Sequence, residues 1–360
     1  MEERIKLANL TGKSNIEKIV ERQHAISEGE LLSIDLPKYT KYTVCNLRGG
    51  IGKTTLSFNL AYLGQDVLAV DTCPQGSLSY FFDNNYFTNS AVNIYNAILP
   101  YVVPGLGRST RVAKRISATN PFFASVDHDH AFYIASAEEL YMFPSQMANA
   151  LSQARALSSP QQEQVMQSIL LSLKVEIERE MEETGCTRCI IDTSPFFAGA
   201  THLAWHATDA LIIPVRTDQQ SINSLNMLLR VLSESTSEFR KNALDLPTPK
   251  IQMIVLTHSA WSTVTGSRNV PNQQTKVYLR QIEDIVNRNI SHFTTTEPHN
   301  HLVILDDFLG SGRISSALSK PIELLEAGES ARINHVRTTV NASVEKCKNQ
   351  LRFINNSIWQ

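Results

Sequence analysis

The residues best suited to chemistry form one glycine-rich segment, 48–55, which reads Arg-Gly-Gly-Ile-Gly-Lys-Thr-Thr. It follows an apolar stretch, 42–45, and precedes a helical pattern, 56–63. A strand, a glycine-rich turn and a helix in this order are typical of a phosphate-binding loop, because backbone N–H groups and the helix N-terminus converge there. In such a loop Lys53 reaches the β- and γ-phosphates and the Thr54 hydroxyl binds Mg²⁺. The nucleotide-binding residues predicted by this pattern are Gly49, Gly50, Ile51, Gly52, Lys53, Thr54 and Thr55.

Two aspartates follow apolar stretches farther along the chain. Asp71 ends the stretch 67–71 and precedes Thr-Cys-Pro-Gln-Gly, and Asp192 ends the stretch 188–192 and precedes Thr-Ser-Pro. Ligands of open α/β sheets bind outside the carboxyl ends of the strands, so both carboxylates are expected beside the glycine-rich segment.

In this order, the three segments resemble the ParA/MinD family of partitioning and positioning ATPases, in a divergent ParA-like form. Leu47 replaces the glycine that opens an ordinary phosphate loop, and Arg48 stands where the family has its first lysine. The resemblance implies that Arg48 reaches across a nucleotide-sandwich homodimer to the phosphates of the other subunit. It also implies catalytic roles for Lys53 and Asp71, and a second-shell position for Asp192, which would hold a Mg²⁺-bound water. Arginine is not equivalent to lysine at such a point, so rate and geometry could differ.

The resemblance further implies slow hydrolysis of ATP, regulation by a partner protein, and a cargo such as a plasmid or another large assembly. One position departs from the family: its second aspartate, which helps to orient the attacking water, is Cys73 here. A neutral thiol is a poor substitute for that carboxylate near neutral pH. Cys73 therefore favours a hydrolysis-poor nucleotide-bound scaffold or accessory subunit, for example in a secretion, polysaccharide or defence apparatus. Pro74, Gln75 and Gly76 favour a partitioning ATPase that binds nonspecific DNA.

Composition agrees with a large α/β domain. The chain has 360 residues, 33 Lys and Arg, 35 Asp and Glu, and a net charge of −2, so net charge alone makes no case for nucleic acid or membrane. The sequence shows no transmembrane segment, and five scattered cysteines indicate a reducing cytoplasm. Short apolar strands alternate with longer helical patterns, which predicts a doubly wound, mostly parallel sheet with helices on both faces. Strands are predicted at 42–46, 66–71, 131–135, 187–192, 210–215, 251–257 and 302–305, and helices near 53–64, 145–157, 161–184, 219–241, 273–290 and 329–355.

Three regions are predicted along the chain. Residues 1–35 form a helical N-terminal extension, residues 36–325 the ATPase domain with an insertion at about 83–130, and residues 326–360 a C-terminal helix. Two sets of basic residues leave DNA binding and a plain solvated or docked helix as open alternatives. An acidic partner is a further possibility for the first set, and a membrane surface for the second. These sets are Arg108, Arg111, Lys114 and Arg115, at roughly helical spacing, and Arg332, Arg337, Lys346, Lys348 and Arg352 near the C-terminus.

Several groups of metal-ligating residue types also occur. Cys186 and Cys189 have ligand spacing without a second pair, and 127–130 reads Asp-His-Asp-His, which fits a polar loop better than a chelating site. His202 and His206 are spaced to share one helical face, but no third ligand is evident. None of these groups predicts a metal centre as well as the segment 48–55 predicts a nucleotide site.

Overall fold

A computed structural model of the chain describes residues 13–30, 32–89, 92–107, 111–243, 245–259 and 271–360. The helices within these segments are α1 (Asn15–Ser27), α2 (Lys53–Leu63), α3 (Ser77–Phe82), α4 (Tyr86–Asn89), α5 (Ile94–Ile98), α6 (Phe143–Ala154), α7 (Ser159–Leu170), α8 (Ser172–Thr184), α9 (Ala200–Ala207), α10 (Gln219–Ser233), α11 (Glu238–Asn242), α12 (Gln273–Arg288), α13 (Leu309–Leu318) and α14 (Val344–Trp359). The strands are β1 (Lys41–Val44), β2 (Val67–Asp71), β3 (Ala113–Arg115), β4 (Phe132–Ile134), β5 (Arg188–Asp192), β6 (Ala210–Arg216), β7 (Lys250–Ser259), β8 (Leu302–Asp306), β9 (Ser330–Ile333) and β10 (Val336–Thr339).

The main sheet has the strand order β3-β4-β2-β5-β1-β6-β7-β8. The pairing of β3 with β4 is antiparallel, and the other pairings in this sheet are parallel. Because β1 lies between β5 and β6, the glycine-rich segment that follows β1 opens at the middle of the carboxyl edge. The five residues of β2 are all buried, as expected for a parallel strand covered on both faces.

Alternate residues of the strands face opposite layers of helices. On one face, Val44 and Ala69 belong to a buried cluster with side chains of α2 and α14. On the other face, Val70 and Ile191 pack with α8 and α9, and Ile213 packs with α10 and α12. The predicted doubly wound α/β architecture is therefore confirmed, and each of the seven predicted strands overlaps an observed strand.

Three predicted helices need correction. The pattern at 161–184 forms two helices, α7 and α8, with a break at Leu171. The pattern at 219–241 also forms two, because the Ser237 side chain accepts a hydrogen bond from the Arg240 N–H and starts α11. The predicted helix 329–355 is wrong over its first part, where β9 and β10 form a hairpin.

The first basic set does not lie on a helix, contrary to the prediction. Lys114 and Arg115 belong to the edge strand β3, and the guanidinium groups of Arg111 and Arg115 lie over the ring of Phe132 at 5.3 and 5.4 Å. Arg108 falls outside the described residues. The three described members of the set are therefore spread along the sheet edge, and two of them lie over an aromatic ring, rather than forming one positive helical face.

The C-terminal helix docks on the sheet, which was one of the open alternatives. Leu351 and Ile354 are buried in the cluster that α14 shares with α2. Its cations are largely engaged: Lys346 pairs with Asp306 at 3.0 Å, Lys348 with Glu345 at 2.7 Å, and Arg352 with Glu323. Among the described residues, no helix combines the length and the apolarity needed to cross a bilayer.

Candidate nucleotide site

The glycine-rich segment forms a loop between β1 and α2 whose backbone requires glycine at two positions. Gly50 has φ of +69° and Gly52 has φ of +90°, values that L side chains rarely adopt. Gly52 caps α2 without a side-chain hydrogen bond. The first N–H groups of α2 therefore remain available to an anion, with the helix dipole behind them. At its base the loop is fixed by the Thr257 hydroxyl, which donates to the Ile51 carbonyl at 3.0 Å.

Lys53 and Thr54 occupy the first turn of α2, as the motif predicts. The Lys53 ammonium is buried and donates to the Arg48 carbonyl at 2.8 Å, so its side chain curls over the loop. Burial lowers the pKa of Lys53. The Thr54 hydroxyl donates to Asp192 Oδ2 at 2.8 Å, and Ser57 donates to Oδ1 at 3.1 Å. The structure thus brings Lys53, Thr54 and Asp192 together at the N-terminus of one helix.

Asp71 lies next to Asp192 on the neighbouring strand, where the two residues are paired in register. Both of its oxygens are engaged by the loop that follows: Oδ1 accepts from the Cys73 N–H at 3.0 Å, and Oδ2 accepts from the Ser79 N–H and hydroxyl, each at 2.8 Å. In this state Asp71 holds the 72–79 loop in place. A direct part in hydrolysis stays a prediction.

Cys73 lies in that loop with 7% of its surface exposed. Burial, together with the nearby carboxylate of Asp71, raises the pKa of its thiol to about 11. The thiol is therefore neutral near neutral pH and cannot act as a base there. The Cys73 carbonyl accepts a hydrogen bond from the Ser136 hydroxyl, so the loop is also tied to the end of β4.

Arg48 lies on the opposite flank of the loop. Its Nη1 donates to the Asp218 carboxylate and, at 2.7 Å, to the Ser221 hydroxyl. Asp218 also caps α10, since its Oδ1 accepts from the Ser221 N–H at 2.9 Å. A groove lined by Leu47, Arg48, Gln220, Asn223, Ser224 and Met227 runs beside this contact. Within one subunit, Arg48 is thus held by its own chain, and its reach into a second subunit stays a prediction.

Sequence reasoning missed several residues that shape this site. Ser57, Ser79, Asp218 and Ser221 are short polar side chains with no motif to mark them. Tyr86 was also missed: its buried hydroxyl, which has no hydrogen-bond partner among the described residues, packs on Gly76. A Cβ on Gly76 would lie 1.6 Å from that hydroxyl, so the glycine in Pro-Gln-Gly was the available signal.

The donor set suits Mg²⁺. The side chains of Thr54, Asp71 and Asp192 offer oxygen atoms only, which is the ligand chemistry that Mg²⁺ prefers. Burial raises the pKa of both Asp71 and Asp192, and the charge of Asp71 raises that of Asp192 further. A divalent cation would relieve this repulsion between two buried carboxylates on adjacent strands. Thr54 and Asp192 are therefore the residues that fit the metal.

A family model described as an AAA domain matches residues 40–245, more than half of the chain. The chain belongs to this family. Its fold resembles that of a McdA variant from Cyanothece in complex with ATP, with a TM-score of 0.57 and 18% identity over 89% of this chain and 97% of that chain. Protein DIP2308 from Corynebacterium diphtheriae gives a TM-score of 0.51 and 13% identity, covering 78% of this chain and 96% of that chain. A plasmid partition protein from Borrelia burgdorferi bound to AMPPNP gives 0.48 and 16%, covering 89% and 100%.

The expected resemblance to the ParA/MinD family is confirmed, and the chain has a ParA/MinD-like P-loop fold. The family match begins just before β1 and ends after α11, so it includes the P-loop and both aspartates. The hairpin and α14 lie beyond the matched range.

The other ligand-type clusters of this ParA/MinD-like chain have structural explanations. His128, from the 127–130 segment, is bound by the Ser125 hydroxyl at 2.6 Å and the Tyr62 carbonyl at 2.8 Å. Cys186 and Cys189 are buried free thiols. His202 and His206 do share a helical face, with ring centroids 5.2 Å apart, and pack on Phe239. The described residues contain no group of three or more side chains that could hold a metal ion.

Proposed function

We propose that this chain is an ATP-dependent switch of the ParA type, in which ATP and Mg²⁺ bring two copies together and slow hydrolysis separates them. The observation that carries the proposal is the P-loop itself. Its left-handed glycines, the open N-terminus of α2, the curled Lys53 and the Thr54–Asp192 contact match the needs of a bound triphosphate. The ATP-bound McdA structure with a similar fold supports the choice of nucleotide.

Binding of a triphosphate would first change the partner of Lys53. The ammonium donates to the Arg48 carbonyl, a neutral acceptor that a phosphate oxygen can outcompete because charge-assisted hydrogen bonds are stronger. The backbone of Arg48 would thereby be released at the moment of binding. Mg²⁺ held near Thr54 and Asp192 would neutralise charge on the β- and γ-phosphates.

Arg48 would then exchange Asp218 for the phosphates of the second copy. The present contact is partly exposed, with 23% of the Arg48 side chain and 36% of the Asp218 side chain accessible, so breaking it costs little. Met227, which is 56% exposed, lines the adjacent groove and offers apolar surface to the second subunit. The dimer would place both nucleotides between the subunits, as the family resemblance implies.

Hydrolysis would be slow, because the position expected to orient water carries the neutral Cys73. A nucleotide-bound scaffold without turnover is the second candidate, and the buried thiol is the observation that favours it. The two candidates share nucleotide binding and dimerisation, and they differ in whether the dimer ever dissociates by hydrolysis. We favour a slow ATPase for DNA partitioning or cargo positioning, regulated by a partner protein.

Sedimentation velocity with ATP and Mg²⁺, compared with ADP and Mg²⁺, tests the switch. The wild-type chain is expected to shift toward dimer with ATP only. Asp218→Asn should strengthen this dimer by about 25-fold, since freeing Arg48 removes roughly 1 kcal/mol of competing interaction, or about five-fold, in each of the two subunits. Asparagine keeps the helix cap that Asp218 provides, so the variant isolates the charge. Arg48→Ala should weaken the dimer.

Arg280→Ala is the matched control, because Arg280 is exposed on α12 and takes no part in the contact between Arg48 and Asp218. It should leave the ATP-dependent shift unchanged. Absence of any shift in the wild-type chain, with ATP binding verified by a fluorescent analogue, would refute the dimer. Absence of binding would refute the nucleotide site as well.

A further inference from the structure

The hydroxyl of Tyr86 is buried without a partner. Tyr86 begins α4, within the segment predicted to be an insertion, and its side chain belongs to a buried cluster with 2% of its surface exposed. Its hydroxyl finds no hydrogen-bond partner in the part of the chain that the structure describes. Because a buried hydroxyl left unpaired is destabilising, its presence beside the nucleotide site calls for an explanation.

This hydroxyl lies against the loop that follows β2. A Cβ on Gly76 would lie 1.6 Å from the hydroxyl oxygen and 2.3 Å from Cζ of the same ring. Gly76 has φ of +62° and caps α3, so the phenol touches the loop backbone directly. Backbone carbonyl groups are hydrogen-bond acceptors. A modest movement of the loop would therefore bring an acceptor to the Tyr86 hydroxyl.

The Tyr86 hydroxyl is suited to act as a donor. Burial, together with the charges of Asp71 and Glu138, raises the pKa of Tyr86 above its ordinary value. The phenol therefore keeps its proton near neutral pH, and that proton is available for a hydrogen bond.

Asp71 holds the same loop from its other side. Its Oδ1 accepts from the Cys73 N–H, and its Oδ2 accepts from the Ser79 N–H and hydroxyl, so three loop donors bind one carboxylate. A catalytic role of Asp71, which the family resemblance implies, would require one of its oxygens to exchange a loop donor for water. The loop would then shift relative to Tyr86.

Tyr86 itself is anchored away from this loop. Its N–H donates to the Asp83 carbonyl at 3.0 Å. The Asp83 carboxylate in turn accepts from the Asn85 N–H at 2.8 Å and from the Asn89 side chain at 3.0 Å. A shift of the loop would therefore change what faces the hydroxyl, while the ring stays in place.

We infer that Tyr86 is a positioning residue of the nucleotide switch, and that its hydroxyl donates to a backbone carbonyl of residues 73–76 when ATP draws this loop toward the phosphates. The inference rests on the proposed function, because it assigns the paired conformation to the ATP-bound form. A ligand shifts an equilibrium toward the conformation with the better contacts. A hydroxyl that is paired only in the ATP-bound form makes ATP binding more favourable.

Tyr86→Phe tests this role, because it removes the hydroxyl and keeps the ring against Gly76. In urea unfolding without nucleotide, the variant should be at least as stable as the wild type, since it loses an unpaired buried hydroxyl. Its affinity for ATP with Mg²⁺ should fall by about ten-fold, since one hydrogen bond of the bound form is lost. Its affinity for ADP should not change, because the γ-phosphate and the attacking water are what engage Asp71. Titration with fluorescent analogues of ATP and ADP measures both affinities.

Steady-state phosphate release separates positioning from direct catalysis. For slow hydrolysis KM equals the dissociation constant, so KM for ATP should rise by the same factor in Tyr86→Phe. The value of kcat should stay unchanged, because the hydroxyl is paired both before and during the reaction. A lower kcat at an unchanged KM would overturn the inference, since it would place the hydroxyl on the reacting atoms.

Tyr42→Phe is the matched control, because Tyr42 is also buried but its hydroxyl donates to the Ile358 carbonyl at 3.0 Å. This variant should lose stability and keep its affinity for ATP. An equal loss of ATP affinity in both variants would overturn the assignment. So would a Tyr86→Phe variant that binds ATP as tightly as the wild type, and in that case the proposed switch would stand. A wild-type chain that binds neither nucleotide would refute the proposed function, and the role of Tyr86 with it.

Discussion

Two regions of the molecule bury titratable groups, and they do so in different ways. Asp71 and Asp192 lie side by side at the carboxyl edge of the sheet, and their oxygens accept five hydrogen bonds from Cys73, Ser79, Thr54 and Ser57. His202 and His206 lie on α9 among aromatic rings, and the Nε2 atom of each is buried with no hydrogen-bond partner among the described residues. The carboxylates are surrounded by hydrogen-bond donors, whereas the histidines pack against aromatic rings.

The difference identifies which cluster is built to carry charge. Burial raises the pKa of Asp71 to about 6 and that of Asp192 to about 7, and the donors aimed at their oxygens oppose this rise, so that a bound cation could complete the stabilisation of the ionised form. Burial without donors favours the neutral form, and the pKa of His202 and His206 falls to about 4 and about 3. The aspartates therefore have the surroundings of a functional site, and the histidines those of an aromatic core.

The sharpest way to break this comparison is to neutralise one group in each region. Asp192→Asn should reduce Mg²⁺-dependent ATP affinity or hydrolysis by about 10- to 100-fold, because it removes a group that orients the metal and its water. His206→Gln, which also replaces a buried titratable group, should leave both nearly unchanged. Titration with a fluorescent ATP analogue, with and without Mg²⁺, measures the first effect directly.

A comparable reduction in both variants would mean that the histidine cluster also supports the site. The Mg²⁺ dependence makes the test specific. A variant that is merely less stable should bind more weakly with and without the metal, whereas Asp192→Asn should weaken mainly the metal-dependent part of the affinity.

A smaller change, on the same flank as Asp71, concerns Cys73. Cys73→Asp should raise ATP hydrolysis by about 10-fold, since a carboxylate can orient water where the neutral thiol cannot. Steady-state phosphate release measures the rate, and Cys73→Ser is the matched control because serine keeps the size and adds no charge. Equal rates in all three proteins would show that this position does not hold the attacking water.

Much of this site could be predicted because its residues follow one another along the chain. The P-loop is local, and the apolar runs that end at Asp71 and Asp192 place both carboxylates at one edge of the sheet. The partners of Arg48 could not be predicted, because Asp218 and Ser221 lie 170 and 173 residues away and belong to no pattern. The same holds for Tyr86, whose contact with Gly76 depends on how the insertion folds back.

The prediction of a helix at 329–355 was wrong over its first part for a local reason. Residues 329–355 contain enough apolar positions for a helix, and the turn at Asn334 and His335 lacks the glycine that usually marks a hairpin. The signal that was available is the alternation of Ala331, Arg332 and Ile333, continued by Val336 to Thr339. Because a helix does not place Arg332 opposite Arg337, the pairing of these two residues in the hairpin could not be foreseen.

The smallest expected effect is on stability against pH, and it sharpens the contrast between the two clusters. The ordinary pKa of histidine is about 6.5. Burial lowers the pKa of His202 to about 4, and burial together with the charges of His202 and Arg240 lowers that of His206 to about 3. The unfolded chain therefore binds protons that the folded chain refuses as pH falls below about 6.5. The free energy of unfolding should drop by roughly 2 kcal/mol per histidine between about pH 6.5 and about pH 5.

Urea unfolding over this pH range measures the free energy of unfolding of the wild type and of His202→Gln/His206→Gln. Subtracting the two pH profiles removes the contribution of all other titrating groups, because both proteins share them. Parallel pH profiles for the two proteins would show that these histidines are protonated, and hence solvated or paired, in the folded state.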